Sequence, residues 1–473
     1  MRLRSAPSRW LIASGPLEEG MKFLVCSLLL ILAVSVSAQS RHTQSLVGAE
    51  GLARFSALFA AQPIANGPAP AMSLDEAERI ALAGNPEIAV AARRVAVDKA
   101  HLPIAGALGD PSVMYRAWGI PLNQPGNLNA AQNMFSISQT FPGRGKRALE
   151  SSIARSNVDI AESQLAQVRL DVRVRVSKAF NDLLRAQEEM RIHDQHVALA
   201  RQAIEAARIK YAVGKVSQQD ILKAQVALTT LAEHLVRFDE DGDLARARLN
   251  TLLGRDPSTP IRALGSYKEP APLPGLDQLE SIALRSRPDL EAAGQMVQRS
   301  RKESSLARKT MTPDFTVAGG YMLMQPSAAM RNTYMLEGSM TLPWLNRGRH
   351  KAEIAEASVR VSEQDAELDA LRNEAFGQIQ QALVEARSAR RLAAVYRDQL
   401  RPQAEATLQA SVIAYENDKT DFLNLLDSQM TVINIDLAWL QAAADYDSRL
   451  ADLELATGST LDPTHNFASE VKP

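Results

Sequence analysis

Leu74-Asp-Glu-Ala-Glu-Arg-Ile-Ala-Leu82 is written again, two hundred residues later, as Leu276-Asp-Gln-Leu-Glu-Ser-Ile-Ala-Leu284. Self-similarity at a fixed offset decides architecture before any local propensity does. Working outward, Pro86 returns as Pro288 and Pro111 as Pro313, both shifted by 202. Phe141-Pro142 matches Leu342-Pro343 (shift 201), and Arg144-Gly145-Lys146 matches Arg347-Gly348-Arg349 (shift 203). Tyr211 pairs with Tyr415, Gln225 with Gln429 and Gly254 with Gly458, each shifted by 204. Landmarks kept in this order over so long a stretch make the chain a tandem duplication. The repeats span 72–255 and 274–458, with a linker at 256–273.

Each half opens with a helix. Ser73 stands three residues before Glu76, a capping box that satisfies two orphan amides. The helix is expected to run to about Leu102, with Pro86 as a kink or break and Pro103 as the stop. Gly275 and Gln278 occupy the equivalent cap positions in the second copy. Alternating segments follow, flanked by Gly, Pro and Asn. Phe135, Ile137 and Phe141 fall on one face, against Ser136, Ser138 and Thr140 on the other. Tyr334, Leu336, Met340 and Leu342 repeat the pattern, and Ser112 to Trp118 and Phe315 to Leu323 are the upstream partners. That makes four strands, each near the roughly 9–11 residues a tilted membrane strand needs. Taken alone, the segment reads better as four strands of a small soluble hairpin domain.

Long helices then dominate. From Arg144 to Ala212 only Gly145, at the start, interrupts a chain otherwise free of proline and glycine. Apolar or small residues recur at Ala154, Val158, Ala161, Leu165, Val168, Val172, Val176, Ala179, Leu183, Ala186 and Met190. The mean spacing is that of an undistorted helix, so the stripe stays straight. Such a helix extends on the order of 100 Å at roughly 1.5 Å per residue. A second helix is expected from Ser217 to Leu253, bent near Asp239 to Asp243 where Gly242 lies. The other half gives Lys351 to Tyr415, carrying Gly377 and Pro402, and Phe422 to Ala456. Helices of this length fit an elongated bundle or tube.

From Met21 the sequence reads Met21-Lys-Phe-Leu-Val-Cys26, continuing apolar to Val36, with Val36-Ser37-Ala38 as a small-residue cleavage site. Residues 1–38 therefore read as a secretory signal peptide, with Met21 as an alternative start because Glu18 and Glu19 precede the apolar core. A single membrane anchor is the other reading, but the run is short of the roughly 20 residues a span needs. Cys26, the one cysteine, lies inside the apolar run, which argues against lipid attachment there. Cleavage would leave a chain without thiol chemistry. No later segment is apolar enough to span as a helix, so a membrane crossing would have to use strands. The 53 basic and 54 acidic residues, net charge −1, give no reason for a nucleic-acid partner. The flanks at 39–71 and 459–473 read as flexible, extended segments.

Tyr211-Ala-Val-Gly214-Lys-Val-Ser217-Gln-Gln-Asp220-Ile-Leu-Lys-Ala-Gln225 resembles the helix–turn–helix tip of the TolC-like outer-membrane efflux factors. Gly214 permits a left-handed turn, Ser217 caps the next helix and Asp220 sits at its positive end. The second copy, Tyr415-Glu-Asn-Asp418-Lys-Thr-Asp421-Phe-Leu-Asn424-Leu-Leu-Asp427-Ser-Gln429, departs in having Asp418 where glycine is usual. The resemblance covers about 72–458 and rests on the double occurrence. Gln139 to Lys146 leans toward the branch paired with cobalt–zinc–cadmium exporters.

The resemblance implies a mainly α fold with a small membrane β part. The helix hairpins form an α-barrel, and four strands per chain contribute to a trimeric β-barrel. It implies a homotrimer in outer-membrane lipid, a passive duct working with a periplasmic adaptor and an inner-membrane pump. By resemblance, Asp427 and Asn424 occupy the two gate positions, one charged ring being lost at Asn424, and Tyr415 helps hold the mouth closed. Tyr211, Gly214, Ser217, Asp220, Asp418 and Asp421 shape the adaptor-docking tip. The duct of a type I protein secretion system shares the fold, and a pore-free periplasmic coiled-coil protein is the rival from another class.

Catalytic and metal chemistry finds no convergent set. His193 and His196 share a helix face but lack a third ligand, and read as exposed histidines on a polar stretch. Met311, Met322, Met324, Met330, Met335 and Met340 cluster near the second strand pair and read as gap-filling or lipid-facing side chains rather than a soft-metal ladder. His101 and His350 stand singly. Gly143-Arg-Gly-Lys146 lacks Walker spacing. No enzyme, cofactor or bound metal is expected.

Overall fold

The computed structural model describes residues 69–461, apart from 121, 124, 126–130, 268, 270 and 324–331. The signal segment with Met21 and Cys26, most of both flanks, Met324 and Met330 lie outside the described residues.

Strand β1 (Ala71–Met72) leads into helices α1 (Leu74–Gly84) and α2 (Pro86–Ala105). Strands β2 (Ser112–Trp118) and β3 (Gln132–Phe141) follow, then the helices α3 (Lys146–Ala212) and α4 (Gln218–Leu252). The linker carries β4 (Arg262–Ala263). The programme then repeats as α5 (Leu276–Ser286), α6 (Pro288–Lys309), β5 (Phe315–Leu323) and β6 (Asn332–Met340). A 3-10 turn (Pro343–Asn346) starts α7 (Arg347–Val395). A π turn (Tyr396–Leu400), α8 (Arg401–Glu416) and α9 (Phe422–Thr457) complete the second copy.

The first helix is two. Ser73 caps α1 by accepting from the Glu76 amide, and Asn85 ends α1 and caps α2 by accepting from the Glu87 amide. Pro86 is thus a break at a first helical position, where its missing N–H costs nothing. Pro103 does not stop α2 at once: it forfeits the bond to the Lys99 carbonyl, and the helix ends two residues later, at Ala105. Gly275 caps α5 without a side-chain bond, having none to offer. α4 runs through Asp239–Asp243 without interruption, and Gly242 is buried against Ala186 of α3. Gly242 serves close packing there. The long helix of the second half begins at Arg347, earlier than Lys351, and is interrupted by the π turn just before Pro402. The 39–71 flank ends in order, because β1 pairs in parallel with β4 of the linker.

The straight stripe is the core of α3. Val172, Val176 and Leu183 are wholly buried with Ala81, Leu249 and Ala77, and the second copy buries Leu279, Ile379, Leu383 and Leu453. Each large apolar side chain so placed stabilises by about 1.5–3 kcal/mol. Helices pack in the order α2–α3–α6–α7 toward the strands and α4–α3–α9–α8 toward the far end.

Strands order as β2–β3–β5–β6, all antiparallel, and the register puts one chemistry on each face. Val113, Ile137, Gly319 and Leu336 stand in one cross-strand row, and Tyr115, Phe135, Tyr321 and Tyr334 in the next. This face is apolar yet open: Val113 is 76%, Leu336 84% and Tyr334 87% exposed. The opposite face carries Ser136, Ser138, Thr140, Thr316, Glu337 and Ser339. Met340 joins the apolar face, while Met322 and Met335 join the polar one. An exposed apolar sheet face this broad needs a non-aqueous neighbour. Among the described residues no helix is long and apolar enough to cross a membrane.

Candidate functional site: the paired helical tips

The two tip turns come together at the end of the helices remote from the strands. Gly214 (φ +74°) ends α3, with the Lys215 amide returning to the Lys210 carbonyl at 2.9 Å. Ser217 and Asp220 form a reciprocal capping box: the hydroxyl accepts from the Asp220 amide at 3.3 Å, and the carboxylate accepts from the Ser217 amide at 3.0 Å. Tyr211, Val213, Leu222 and Val226 leave apolar surface exposed around this turn.

The second turn has the same backbone. Asp418 takes φ +56°, the one non-glycine positive φ among the described residues, and the Lys419 amide returns to the Ala414 carbonyl at 2.8 Å. Aspartate tolerates this region better than most side chains. Asp421 caps α9 by accepting from the Asn424 amide at 2.9 Å.

What sequence reading missed is a clasp between the turns. Lys210 donates to Asp418 Oδ1 at 2.8 Å and to the Tyr415 carbonyl, while Lys215 donates to Asp418 Oδ2. The hydrogen bonds from Lys210 and then Lys215 hold the Asp418 carboxyl down at about 2. The Lys210 ammonium also lies 4.0 Å from the Tyr415 ring centroid, a cation–π contact. Below the clasp, Tyr415 (5% exposed) and Phe422 (1%) pack edge to face at 5.8 Å, within a cluster that includes Ile204, Ala207, Ala224 and Leu425. The signal was present in the sequence as Asp418 in the glycine position with lysines at 210 and 215.

Tyr415 therefore lies inside one chain's four-helix tip, its hydroxyl buried without a hydrogen-bond partner. Burial first, then the Asp220 and Asp418 charges, push that phenol up and keep it neutral. Asn424 and Asp427 stand apart from the clasp, exposed one turn from each other on α9.

The histidines are not exposed as expected. His193 is wholly buried, with His234 at 5.3 Å and Phe238 at 4.8 Å between ring centroids. Burial, then His234 and His196, press its pKa down to about 4, so it stays neutral. His196 sits 3.7 Å from Asp436. Among the described residues, no group of three or more His, Cys, Asp or Glu is placed to hold a metal ion.

The model of the outer membrane efflux protein family matches residues 79–255 and 279–459, one match per repeat. The cobalt-zinc-cadmium resistance protein CzcC of Cupriavidus metallidurans is 27% identical over 300 residues, 63% of this chain and 70% of that protein. Nodulation protein T of Rhizobium leguminosarum bv. trifolii is 23% identical over 399 residues, 80% of this chain and 84% of that protein. In fold, the chain superposes on CusC, described through its transmembrane channel formation, with a TM-score of 0.70 at 17% identity, covering 82% of this chain and 92% of that one. With a family match over each repeat, and two strands inside each, the chain belongs to the outer membrane efflux protein family.

Proposed function

We propose that three copies close into one passive outer-membrane duct, which receives metal cations from an inner-membrane pump through a periplasmic adaptor. The observation that carries this reading is a pair of unclosed walls. The sheet ends at β2 and β6, and the helix wall beside it ends at α2 and α7. A sheet edge cannot face lipid, so the edges must be paired by sister copies. Two copies would give eight strands, a barrel whose interior side chains just fill, whereas twelve leave a lumen.

The duplication supports a specific seam. Within the chain, α3 of the first repeat packs on α6 of the second, with Lys302 donating to Ser156 at 2.7 Å and Arg299 to Asn157 at 3.3 Å. The repeat offset carries these contacts to Ala100 and Val97 of α2 against Val359 and Arg360 of α7 in the next copy. Val97 and Val359 are 68% and 69% exposed within one chain, apolar where the internal seam is polar. Cysteines at Ala100 and Val359 should join neighbouring chains through a short bis-maleimide into a ladder ending at trimer. A protein that dissolves as a monomer without detergent would overturn the duct.

The cargo class rests on the names of relatives, cobalt-zinc-cadmium resistance protein CzcC and nickel-cobalt-cadmium resistance protein NccC of Alcaligenes xylosoxydans xylosoxydans, the latter 24% identical over 280 residues. A ring of three Asp427 carboxylates at the narrow mouth would favour cations over anions. The exposed apolar turn around Tyr211, Gly214, Ser217 and Asp220 would seat the adaptor, with Asp421 and the clasped Asp418 beside it. Asp427→Ala is expected to raise conductance without a pump and to weaken cation preference in planar bilayers. Unchanged conductance and selectivity would remove Asp427 from the gate.

A further inference from the structure

Linker residues Tyr267, Glu269 and Ala271 bridge α3 of the first repeat and the long helices of the second, and Tyr267 and Glu269 border a cavity of about 480 Å³. Tyr267 donates to Asn181 at 2.7 Å, Arg397 pairs with Glu269 at 2.9 Å, and Tyr446 donates to the Ala271 carbonyl at 3.0 Å. Arg387, Arg390 and Arg391 of α7 and Trp439 of α9 line the space with Tyr267. Arg397 is committed to Glu269 and Asp398. Arg387 and Arg391 are exposed and make no hydrogen bond or ion pair with any described residue.

Like charges four residues apart mildly destabilise a helix, and a bound anion would offset the repulsion between Arg387 and Arg391. The first repeat offers an internal comparison. At the offset of 203 the counterparts of Arg387, Arg390 and Arg391 are Leu184, Gln187 and Glu188. There Leu184 is buried beside Gly265 and Ala263 of the linker. One duplicated face is thus neutral or acidic and filled. Its twin carries three arginines over a cavity.

We propose that this cavity binds a small molecule bearing two carboxylates or phosphates on a flat ring. Guanidinium forks at Arg387 and Arg391 match such anions in two-pronged geometry, and Trp439 offers a ring face for stacking. Forty residues of α7 separate Arg387 from the strands, about 60 Å at 1.5 Å per residue, so membrane headgroups cannot reach the site. The ligand must be periplasmic.

The test titrates the full-length protein in detergent with benzene-1,2-dicarboxylate and, separately, with pyrophosphate, read by calorimetry and tryptophan fluorescence. Saturable binding is expected, at least tenfold weaker in Arg387→Glu and Arg391→Glu and unaffected in Arg79→Glu on α1. Arg391→Lys, which keeps charge but loses the fork, should fall between. Trp439→Phe should weaken the aromatic probe and leave pyrophosphate unchanged. Variants are compared only where they keep the parent's oligomer size and helical circular dichroism. No saturable binding, or an equal loss in Arg79→Glu, would overturn the site. Binding seen only after deletion of 462–473 would also overturn it, by assigning the groove to the chain's own tail.

Discussion

Removing one oxygen from Tyr415 is expected to tighten the tip. In the structure that hydroxyl has no partner and no solvent, and its ring is held by Phe422 beneath and Lys210 above. An unsatisfied buried hydroxyl costs about 1–3 kcal/mol, whereas phenylalanine fills nearly the same space and keeps the ring face for the ammonium. Taking about 1 kcal/mol as the relief, Tyr415→Phe shifts the closed-to-open ratio of the tip roughly fivefold toward closed. Phe422→Ala should do the reverse, because emptying a buried aromatic site costs about 3–5 kcal/mol, more than a hundredfold in that ratio. The assays are hydrogen exchange of amides 416–424 and single-channel conductance without a pump. Tyr415→Phe should exchange several-fold more slowly and conduct no more than the parent. Phe422→Ala should lose protection and leak. Raised conductance in Tyr415→Phe would refute the reasoning, because it would mean that the hydroxyl bonds across to a neighbouring chain and that the tip repacks on assembly.

The clasp sets a pH expectation. Asp418 is held at about 2, below the ordinary carboxylate value near 3.9, so its contribution is fully present above about pH 4 and is lost as pH falls toward 2. Closed-state conductance should therefore stay flat from pH 7 to 4, and a rise near pH 5 would place the controlling group elsewhere. On the sheet, Leu336→Arg puts a charge on the apolar face at a cost of roughly 2–4 kcal/mol, while Glu337→Arg, on the polar face, should be tolerated. Thermal dissociation of the detergent-extracted trimer should fall only for the first. Equal effects would mean that the apolar face does not meet lipid.

Periodicity and repetition made most of the fold legible. The strands at 112–118 and 315–323 fall within the bounds read for them residue for residue, and of the eleven stripe positions from Ala154 to Met190 eight are buried and three half-buried on α3, as the 3.6 spacing requires. Prolines were less informative. Pro86 and Pro103 carry the same local chemistry, yet one breaks a helix and the other rides in a last turn, because position within the element decides the cost. Long-range partners were invisible. Nothing near His193 in sequence announces His234 on the facing helix, so a buried residue read as exposed. Likewise Asp418, a departure from the tip pattern, gained its meaning from lysines two hundred residues away.

The offset between repeats, and not the motif alone, fixes Tyr415 in place. Buried positions pair at 203 along the long helices: Val172 with Ala375, Val176 with Ile379, Ala179 with Ala382 and Leu183 with Ala386. Beyond the π turn they pair at 204, as Ala200 with Ala404 and Ile204 with the half-buried Leu408. The second copy thus carries one extra residue, and in an unbroken α-helix that residue would rotate everything downstream by about 100°. Hydrogen bonds reaching five residues instead of four absorb it in Tyr396–Leu400, immediately before Pro402, whose missing N–H and bulky ring already disfavour the α pattern. Deleting one residue from 396–400 should then restore a plain helix and leave the Tyr415–Phe422 pair and the Lys210 clasp intact. The same deletion at Leu383 of α7 should swing the tip out of register and abolish the assembled channel. Equal damage from both deletions, measured by yield of detergent-extracted trimer, would show that the π turn is not the seat of the insertion.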